Sequence, residues 1–167
     1  MRKVAQLPEI DRQDLFRATA QQMQVHEAII EKDFWVCWVL DYLFQDSKWK
    51  DSLAFKGGTS LSKAFGAIER FSEDIDLILD WKLLGYKDDE PWEKRSSTQQ
   101  DKFGKKAMGR TVEFLEKDFV PVITPTLKKL AGVEVDVRVE NQYVLVEYPK
   151  AFSLAVIQPQ IRLEISP

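Results

Sequence analysis

The chain has 167 residues, of which 44% are hydrophobic, 31% charged and 11% aromatic, and its net charge is −3. This composition predicts one folded domain over residues 1–167 and excludes a disordered chain. One cysteine and one histidine exclude an internal disulfide and argue against a cysteine cluster, a zinc site or a histidine triad. No apolar run reaches the roughly 18 residues of a membrane span, and the N-terminus has no apolar signal core, so we expect a cytoplasmic protein with no membrane partner.

The N-terminal part of the chain predicts two helices. Residues 8–23 contain a loose apolar stripe, which is typical of a helix at the periphery. Residues 27–44 are apolar around most of the helix circumference, so we expect a buried helix that starts after His26. Lys32 and Asp33 interrupt this pattern and are expected at the exposed end of the helix.

Residues 53–68 predict a strand, a tight turn and a helix. Two glycines allow the backbone to turn sharply and to approach a ligand, and a hydroxyl residue caps the helix that follows. The free N–H groups of such a helix start suit a phosphate, although the same pattern describes any tight turn into a capped helix. The residues of the turn are Gly57, Gly58, Thr59 and Ser60.

A pair of aspartates follows this helix. Asp74 and Asp76 lie two residues apart in residues 71–80, an apolar stretch that predicts a strand. Residues i and i+2 of a strand share a face, so both carboxylates project together while Ile75 and Leu77 face the core. Such like charges repel unless a cation lies between them, and carboxylate oxygens suit Mg²⁺. An isolated pair also occurs on solvated strand faces, but behind a phosphate-type turn it predicts a magnesium site.

The middle of the chain predicts a polar loop and then helices. Residues 81–100 are polar and predict a long loop beside the metal site. A helical pattern covers residues 98–119, and we expect Pro121 and Pro125 to break it. Because the net charge is negative, any RNA contact must be local, and the basic residues here form either that contact or a solvated face. They are Lys102, Lys105, Lys106, Arg110, Lys128 and Lys129.

The last part of the chain predicts strands. Residues 133–139 alternate strictly between apolar and charged side chains, and residues 143–148 are expected to return as their hairpin partner. Residues 160–166 predict a final strand that places Arg162 and Glu164 on one face.

Three stretches resemble a known family. GGTSLSKAFGAIERFSEDIDL, residues 57–77, resembles the first motif of the nucleotidyltransferase-fold toxins of bacterial abortive-infection systems, the AbiEii/AbiGii type of the polymerase-β-like superfamily. EKDFWVCWVL, residues 31–40, and IRLEIS, residues 161–166, are similar to a preceding helix and a later strand of that family. The resemblance implies an α+β fold with a mixed nucleotidyltransferase sheet flanked by helices and preceded by N-terminal helices. It alone suggests that Lys32 and Asp33 position the loop of the site.

The resemblance also implies a chemistry and roles for the residues of the first motif. The expected enzyme is a Mg²⁺-dependent nucleotidyltransferase that moves a nucleotide from an NTP to a hydroxyl acceptor. Gly58 and Ser60, with their neighbours in the turn, would bind the triphosphate, and Asp74 and Asp76 would hold Mg²⁺. The phosphate charge would be neutralised by Lys63 or Arg70.

A third carboxylate is expected, because transfer with two metals uses a further acidic group on the acceptor side. The likeness of IRLEIS to the family strand assigns this role to Glu164, as a catalytic residue and metal ligand with the two aspartates. On alternation alone, Asp136 is the second choice. The plain alternative is that Glu164 is an exposed residue paired with Arg162.

The partners implied by the resemblance are an RNA acceptor such as tRNA and an antitoxin encoded beside the toxin. We expect the chain to lack the helical C-terminal region of the family, because it ends directly after the last strand. Two alternatives therefore stay open. One is a truncated, non-catalytic module that binds a nucleotide or the antitoxin, and the other is a transferase that acts on a protein or small-molecule acceptor.

Overall fold

The computed structural model describes residues 1–58 and 74–167. Helices come first, a mixed sheet follows, and two long helices lie between its second and third strands. This order confirms the expected α+β arrangement. The helices are α1 (Arg2–Ala5), α2 (Glu9–Met23), α3 (Glu27–Gln45), α4 (Ser97–Phe114) and α5 (Val120–Ala131), and the strands are β1 (Leu53–Lys56), β2 (Asp74–Leu79), β3 (Asp136–Glu140), β4 (Tyr143–Glu147) and β5 (Gln160–Ser166). None of the described helices is long and apolar enough to cross a membrane.

The strand order in the sheet is β1-β2-β5-β4-β3. β2 and β5 are parallel neighbours, and the other three pairs are antiparallel. β3 begins three residues later than the alternation predicts, and β4 ends one residue earlier. The order places the last strand of the chain at the centre of the sheet, directly beside β2.

The two faces of the sheet differ sharply in polarity. Every second residue of β2 and β5 is apolar and at most 1% exposed, and these residues face the helices. They are Ile75, Leu77, Leu79, Ile161, Leu163 and Ile165. Alternation directs the intervening residues to the opposite face, where even the apolar Ile78 is 42% exposed. One face therefore forms the core and the other displays polar side chains.

Helix α3 supplies much of the core that covers the apolar face. Trp35 and Trp38 are buried and pack edge to face, with ring centroids 5.3 Å apart. The helix begins after His26, as expected, and the Nδ1 of His26 caps it by accepting a hydrogen bond from the Ala28 N–H at 3.1 Å. The expected exposure of Lys32 is wrong, because Lys32 is only 2% exposed.

Helices α4 and α5 are joined without a break, contrary to the expectation from Pro121 and Pro125. A π-helical turn, Leu115–Phe119, connects them and buries both Leu115 and Phe119. Pro121 stands in the first turn of α5, where its missing N–H is tolerated, and only Pro125 lies inside the helix. The helix ends before Gly132, which has φ +69°.

The segment between β2 and α4 is more ordered than the predicted loop. It contains two 3-10 helices, Trp81–Leu84 and Glu90–Trp92. The ring of Trp81 stacks on Phe103 of α4 at 5.6 Å, and the guanidinium of Arg95 lies over Phe103 at 4.0 Å. Aromatic and cation–π packing therefore fixes a stretch whose composition is polar.

Leu163→Ala tests which face of the sheet is the core. We expect it to lower the free energy of unfolding by about 2–5 kcal/mol, because it leaves a cavity behind a fully buried strand residue. Ile78→Ala is the matched control on the opposite face and should cost less than about 1 kcal/mol. Urea unfolding followed by circular dichroism measures both, and similar costs for the two variants would contradict the assignment of the faces.

Candidate functional site

The three carboxylates predicted from the sequence lie on the polar face at the centre of the sheet. Asp74 and Asp76 are on β2, and Glu164 is on the neighbouring strand β5. In the parallel register Asp76 is the Cα partner of Glu164, and Asp74 is the partner of Arg162. Because neighbouring strands are about 4.8 Å apart, this register brings the acidic side chains into one small area.

Arg162 binds the carboxylate of Asp74 through two hydrogen bonds. Its Nε donates to Oδ1 at 3.1 Å and its Nη2 donates to Oδ2 at 2.5 Å. The guanidinium also lies over the ring of Tyr143 at 4.9 Å. The hydrogen bond to Asp74 raises the pKa of Arg162 above its ordinary value. The alternative for Glu164 was an exposed side chain paired with Arg162. In the structure Arg162 pairs with Asp74, and Glu164 is half-buried.

Lys56 is a second cationic neighbour of the site that sequence reasoning missed. It is the last residue of β1 and the Cα partner of Asp76, so Asp76 lies between Lys56 and Glu164. Its Nζ donates a hydrogen bond to Ser166 Oγ at 2.8 Å. In the sequence, only the position of Lys56 directly before the two glycines could have pointed to a role in the site. Its place opposite Asp76 follows from the pairing register of β1 with β2.

Gly57 brings the loop backbone against the carboxylate of Asp76. Its φ is +74°, a conformation that side chains disfavour. A Cβ atom at this position would lie 2.7 Å from Asp76 Cγ and would overlap Asp76 Oδ2. The turn and the aspartate are therefore in direct contact, and this contact leaves no room for a side chain at residue 57.

Four of the predicted nucleotide-binding residues lie outside the described residues. They are Thr59, Ser60, Lys63 and Arg70. Of the predicted phosphate-binding turn, the structure thus describes Gly57 and Gly58, which follow directly on β1.

Asp136, the second choice for the third carboxylate, lies far from the aspartate pair. It is on β3 at the edge of the sheet, and β4 and β5 separate it from β2. Its carboxylate forms an ion pair with Arg138 at 3.3 Å. Of the two choices, only Glu164 is a strand neighbour of Asp76.

Three of the six basic residues considered for RNA contact have partners within the chain. Arg110 donates to the carbonyl of Leu84 at 3.0 Å and lies over the ring of Tyr86 at 4.4 Å. Lys105 pairs with Asp101, and Lys128 pairs with Glu134. These contacts stabilise the helices locally and give no specific support to an RNA-binding surface.

The donor set suits a magnesium ion in kind, because it consists of carboxylate oxygens next to a loop that brings backbone to the same place. The arrangement of these side chains does not form a metal site as it stands. Within residues 1–58 and 74–167, no three histidine, cysteine, aspartate or glutamate side chains are placed together as metal ligands. Arg162 already binds both oxygens of Asp74. The three carboxylates fit a metal only if Arg162 leaves Asp74.

Comparison with known protein families gives one match. The family model described as "Nucleotidyl transferase AbiEii toxin, Type IV TA system" matches residues 38–167. The matched region includes the five strands that the structure describes, among them β2 and β5 of the site, whereas α1, α2 and the first part of α3 precede it. Searches of the curated proteins and of the solved structures gave no match.

Gly57→Ala tests the close approach of the turn to Asp76, with Gly85→Ala as the matched control. Both glycines have a positive φ, +74° and +76°, but a Cβ at Gly85 meets no atom within 4 Å. We expect Gly85→Ala to cost about 1–2 kcal/mol of unfolding free energy for the backbone conformation alone. Gly57→Ala should cost more and should displace Asp76, because it adds the collision. Equal costs in urea unfolding would contradict the contact.

Proposed function

Because the chain belongs to the AbiEii family of nucleotidyl transferase toxins from type IV toxin–antitoxin systems, we propose that it moves a nucleotide from an NTP to a hydroxyl acceptor at the β2–β5 face. The observation that supports this most directly is the register that puts Asp74, Asp76 and Glu164 on adjacent strands of one face. In the reaction, the acceptor oxygen forms a bond to the α-phosphorus. The bond from that phosphorus to the bridging oxygen breaks, pyrophosphate leaves, and the hydroxyl proton passes to a carboxylate of the site or to water.

We assign triphosphate binding to the turn at Gly57 and Gly58, continued by Thr59 and Ser60. The contact of Gly57 with Asp76 supports this assignment, since it puts the backbone of the turn beside the aspartate pair. Backbone N–H groups of such a turn can donate to phosphate oxygens. Lys63 and Arg70 remain proposed phosphate contacts on the basis of the family resemblance.

We assign Mg²⁺ binding to Asp74, Asp76 and Glu164. A bound Mg²⁺ would neutralise charge on the triphosphate and polarise the phosphoryl group. Because Arg162 binds both carboxylate oxygens of Asp74, its guanidinium would have to release them for Mg²⁺ to bind there. The pair is exposed to solvent but bidentate, so it is stronger than an ordinary surface ion pair, and metal binding would have to offset the loss of two hydrogen bonds.

Lys56 has a role that follows from its place in the sheet. It is the only basic residue paired in register with Asp76 among the described strands, and its hydrogen bond to Ser166 holds its ammonium group at the end of β5. At this position it lowers the electrostatic cost of placing Asp76 beside Glu164. We expect it to orient the acidic group rather than to react.

The family match supports a toxin with a cognate antitoxin as partner. The resemblance of the first motif adds an RNA acceptor such as tRNA and a toxic outcome in abortive infection to the proposal. NTPs and RNA are found together in the cytoplasm, so the proposed reaction places the protein there. We propose that residues 1–167 form one nucleotidyltransferase domain, because α1 contacts α5, α2 contacts α3, and α3 contacts β5.

Label transfer to RNA tests the proposed function. The protein is incubated with Mg²⁺, total bacterial RNA and each NTP in turn, labelled at the α-phosphate so that the label stays on the acceptor. We expect one NTP or a subset to label a discrete RNA band. Asp76→Asn and Glu164→Gln should each reduce the labelling at least about 100-fold, because each removes a carboxylate of the proposed site.

Asp136→Asn is the control for this experiment. It removes a carboxylate from the same face but at the far edge of the sheet, so labelling should stay within about twofold of the original protein. Label on protein or on a small molecule, with the RNA unlabelled, would replace the RNA acceptor by another. Labelling that survives both site variants would contradict the assignment of the site, and no label with any NTP and any acceptor would overturn the proposed function.

A further inference from the structure

The connection between β4 and β5, residues 148–159, leads into the strand that supplies half of the site. It contains no helix or strand. Within it, the N–H of Ile157 donates to the carbonyl of Leu154 at 2.9 Å. β5 begins at Gln160, and Arg162 and Glu164 follow within the next four residues. Where β5 enters the sheet therefore depends on what holds this connection.

Glu31 of α3 holds the middle of the connection. Glu31 is only 1% exposed. One carboxylate oxygen accepts a hydrogen bond from the N–H of Ala151 at 2.8 Å, and the other accepts one from the N–H of Phe152 at 3.0 Å. Burial raises the pKa of the Glu31 carboxyl, and the two backbone hydrogen bonds oppose this effect. A carboxylate is costly at such a site unless both oxygens are hydrogen-bonded, as they are here.

Lys32, the next residue of α3, holds the end of the connection. It is 2% exposed, and its Nζ donates to the carbonyl of Gln158 at 2.9 Å. Gln158 stands two residues before β5. Two adjacent residues of one helix thus bind the backbone of the connection at two separate points.

Aromatic contacts with α2 and α3 also hold the connection. Tyr148, which starts the connection, stacks on Trp35 of α3 with centroids 5.9 Å apart. The guanidinium of Arg17 in α2 lies over the ring of Phe152 at 5.4 Å. The connection is therefore fixed along its length by α2 and α3, although it has no regular structure of its own.

Neither charge is needed to fill the core, since apolar side chains fill such space without a desolvation cost. What the two charges add is geometry, because each binds particular backbone atoms. Glu31 and Lys32 also precede the region that matches the family model, which begins at residue 38, whereas every atom they bind here lies inside it. The N-terminal helices thus contribute directly to the part of the sheet that contains the site.

We propose that Glu31 and Lys32 are positioning residues for the transfer reaction, which fix the β4–β5 connection and thereby set where β5 presents Arg162 and Glu164 to the aspartate pair. This inference rests on the proposed function. It assigns the two residues no contact with substrate. Their effect reaches the reaction through the place and the stiffness of β5.

The test compares Glu31→Gln and Lys32→Met with Val39→Ala, a variant of a buried α3 residue whose side chain makes no hydrogen bond. Steady-state labelling kinetics are measured for the NTP that labels RNA best, about 10 °C below the Tm of each variant. We expect Glu31→Gln and Lys32→Met to lower kcat about 10-fold to 100-fold with the KM for NTP within about threefold. Val39→Ala should leave kcat within about twofold at a similar loss of Tm.

Hydrogen exchange provides the readout that does not depend on activity. In Glu31→Gln and Lys32→Met, the amides of residues 151–166 should exchange at least about 10-fold faster, while those of α5 keep their rates. If the original protein labels RNA and the two variants match Val39→Ala in kcat and in exchange, the positioning role is overturned and the proposed function stands. If the original protein transfers no label, the proposed function fails and this inference fails with it.

Discussion

The constraint on which the rest of the structure depends is the placement of Asp76 directly beside Glu164 at the centre of the sheet. Two carboxylates in neighbouring strand positions repel, so the fold must supply positive charge nearby. It does so on both sides, with Lys56 in register with Asp76 and Arg162 bound to Asp74. The described site therefore places two basic side chains, Lys56 and Arg162, among three acidic ones, and one formal negative charge remains unbalanced.

Burial of the apolar face stabilises this arrangement of charges. β2 and β5 bury their alternate residues completely against the helices, so their register cannot shift by one residue without exposing the core and burying the charged set. In the strand order, β2 and β5 each have a neighbouring strand on both sides, which protects them from the local opening that affects edge strands. Rigidity on one face thus holds reactive groups in place on the other.

Local sequence patterns predicted the type and order of most of the described elements and the face on which the aspartate pair lies. The alternation around Asp74 and Asp76 predicted their shared face, and the glycine pair predicted a sharp turn, in which Gly57 has a positive φ. Alternation also put Arg162 and Glu164 on one face of the last strand. These predictions succeed because they depend on the period of a strand and on the conformational freedom of glycine, both of which are local.

The remaining features are long-range and are not encoded in any local pattern. The pairing of Arg162 with Asp74 requires that β5 insert beside β2, a choice made by the whole sheet. The burial of Lys32 depends on a backbone carbonyl 126 residues away in the chain. The uninterrupted helix across Pro121 depends on a π-helical turn, which propensity does not predict.

The proposed competition between Arg162 and a divalent cation for the carboxylate of Asp74 is tested most directly by a titration with Mn²⁺ alone. Electron paramagnetic resonance of free Mn²⁺ measures binding to the original protein, to Arg162→Met and to Arg110→Met, a control whose guanidinium donates to the carbonyl of Leu84 rather than to a carboxylate. Arg162→Met is expected to bind Mn²⁺ about 10-fold more tightly, because a competing positive charge is gone, and Arg110→Met is expected to be unchanged. Unchanged or weaker binding by Arg162→Met would contradict the proposed competition.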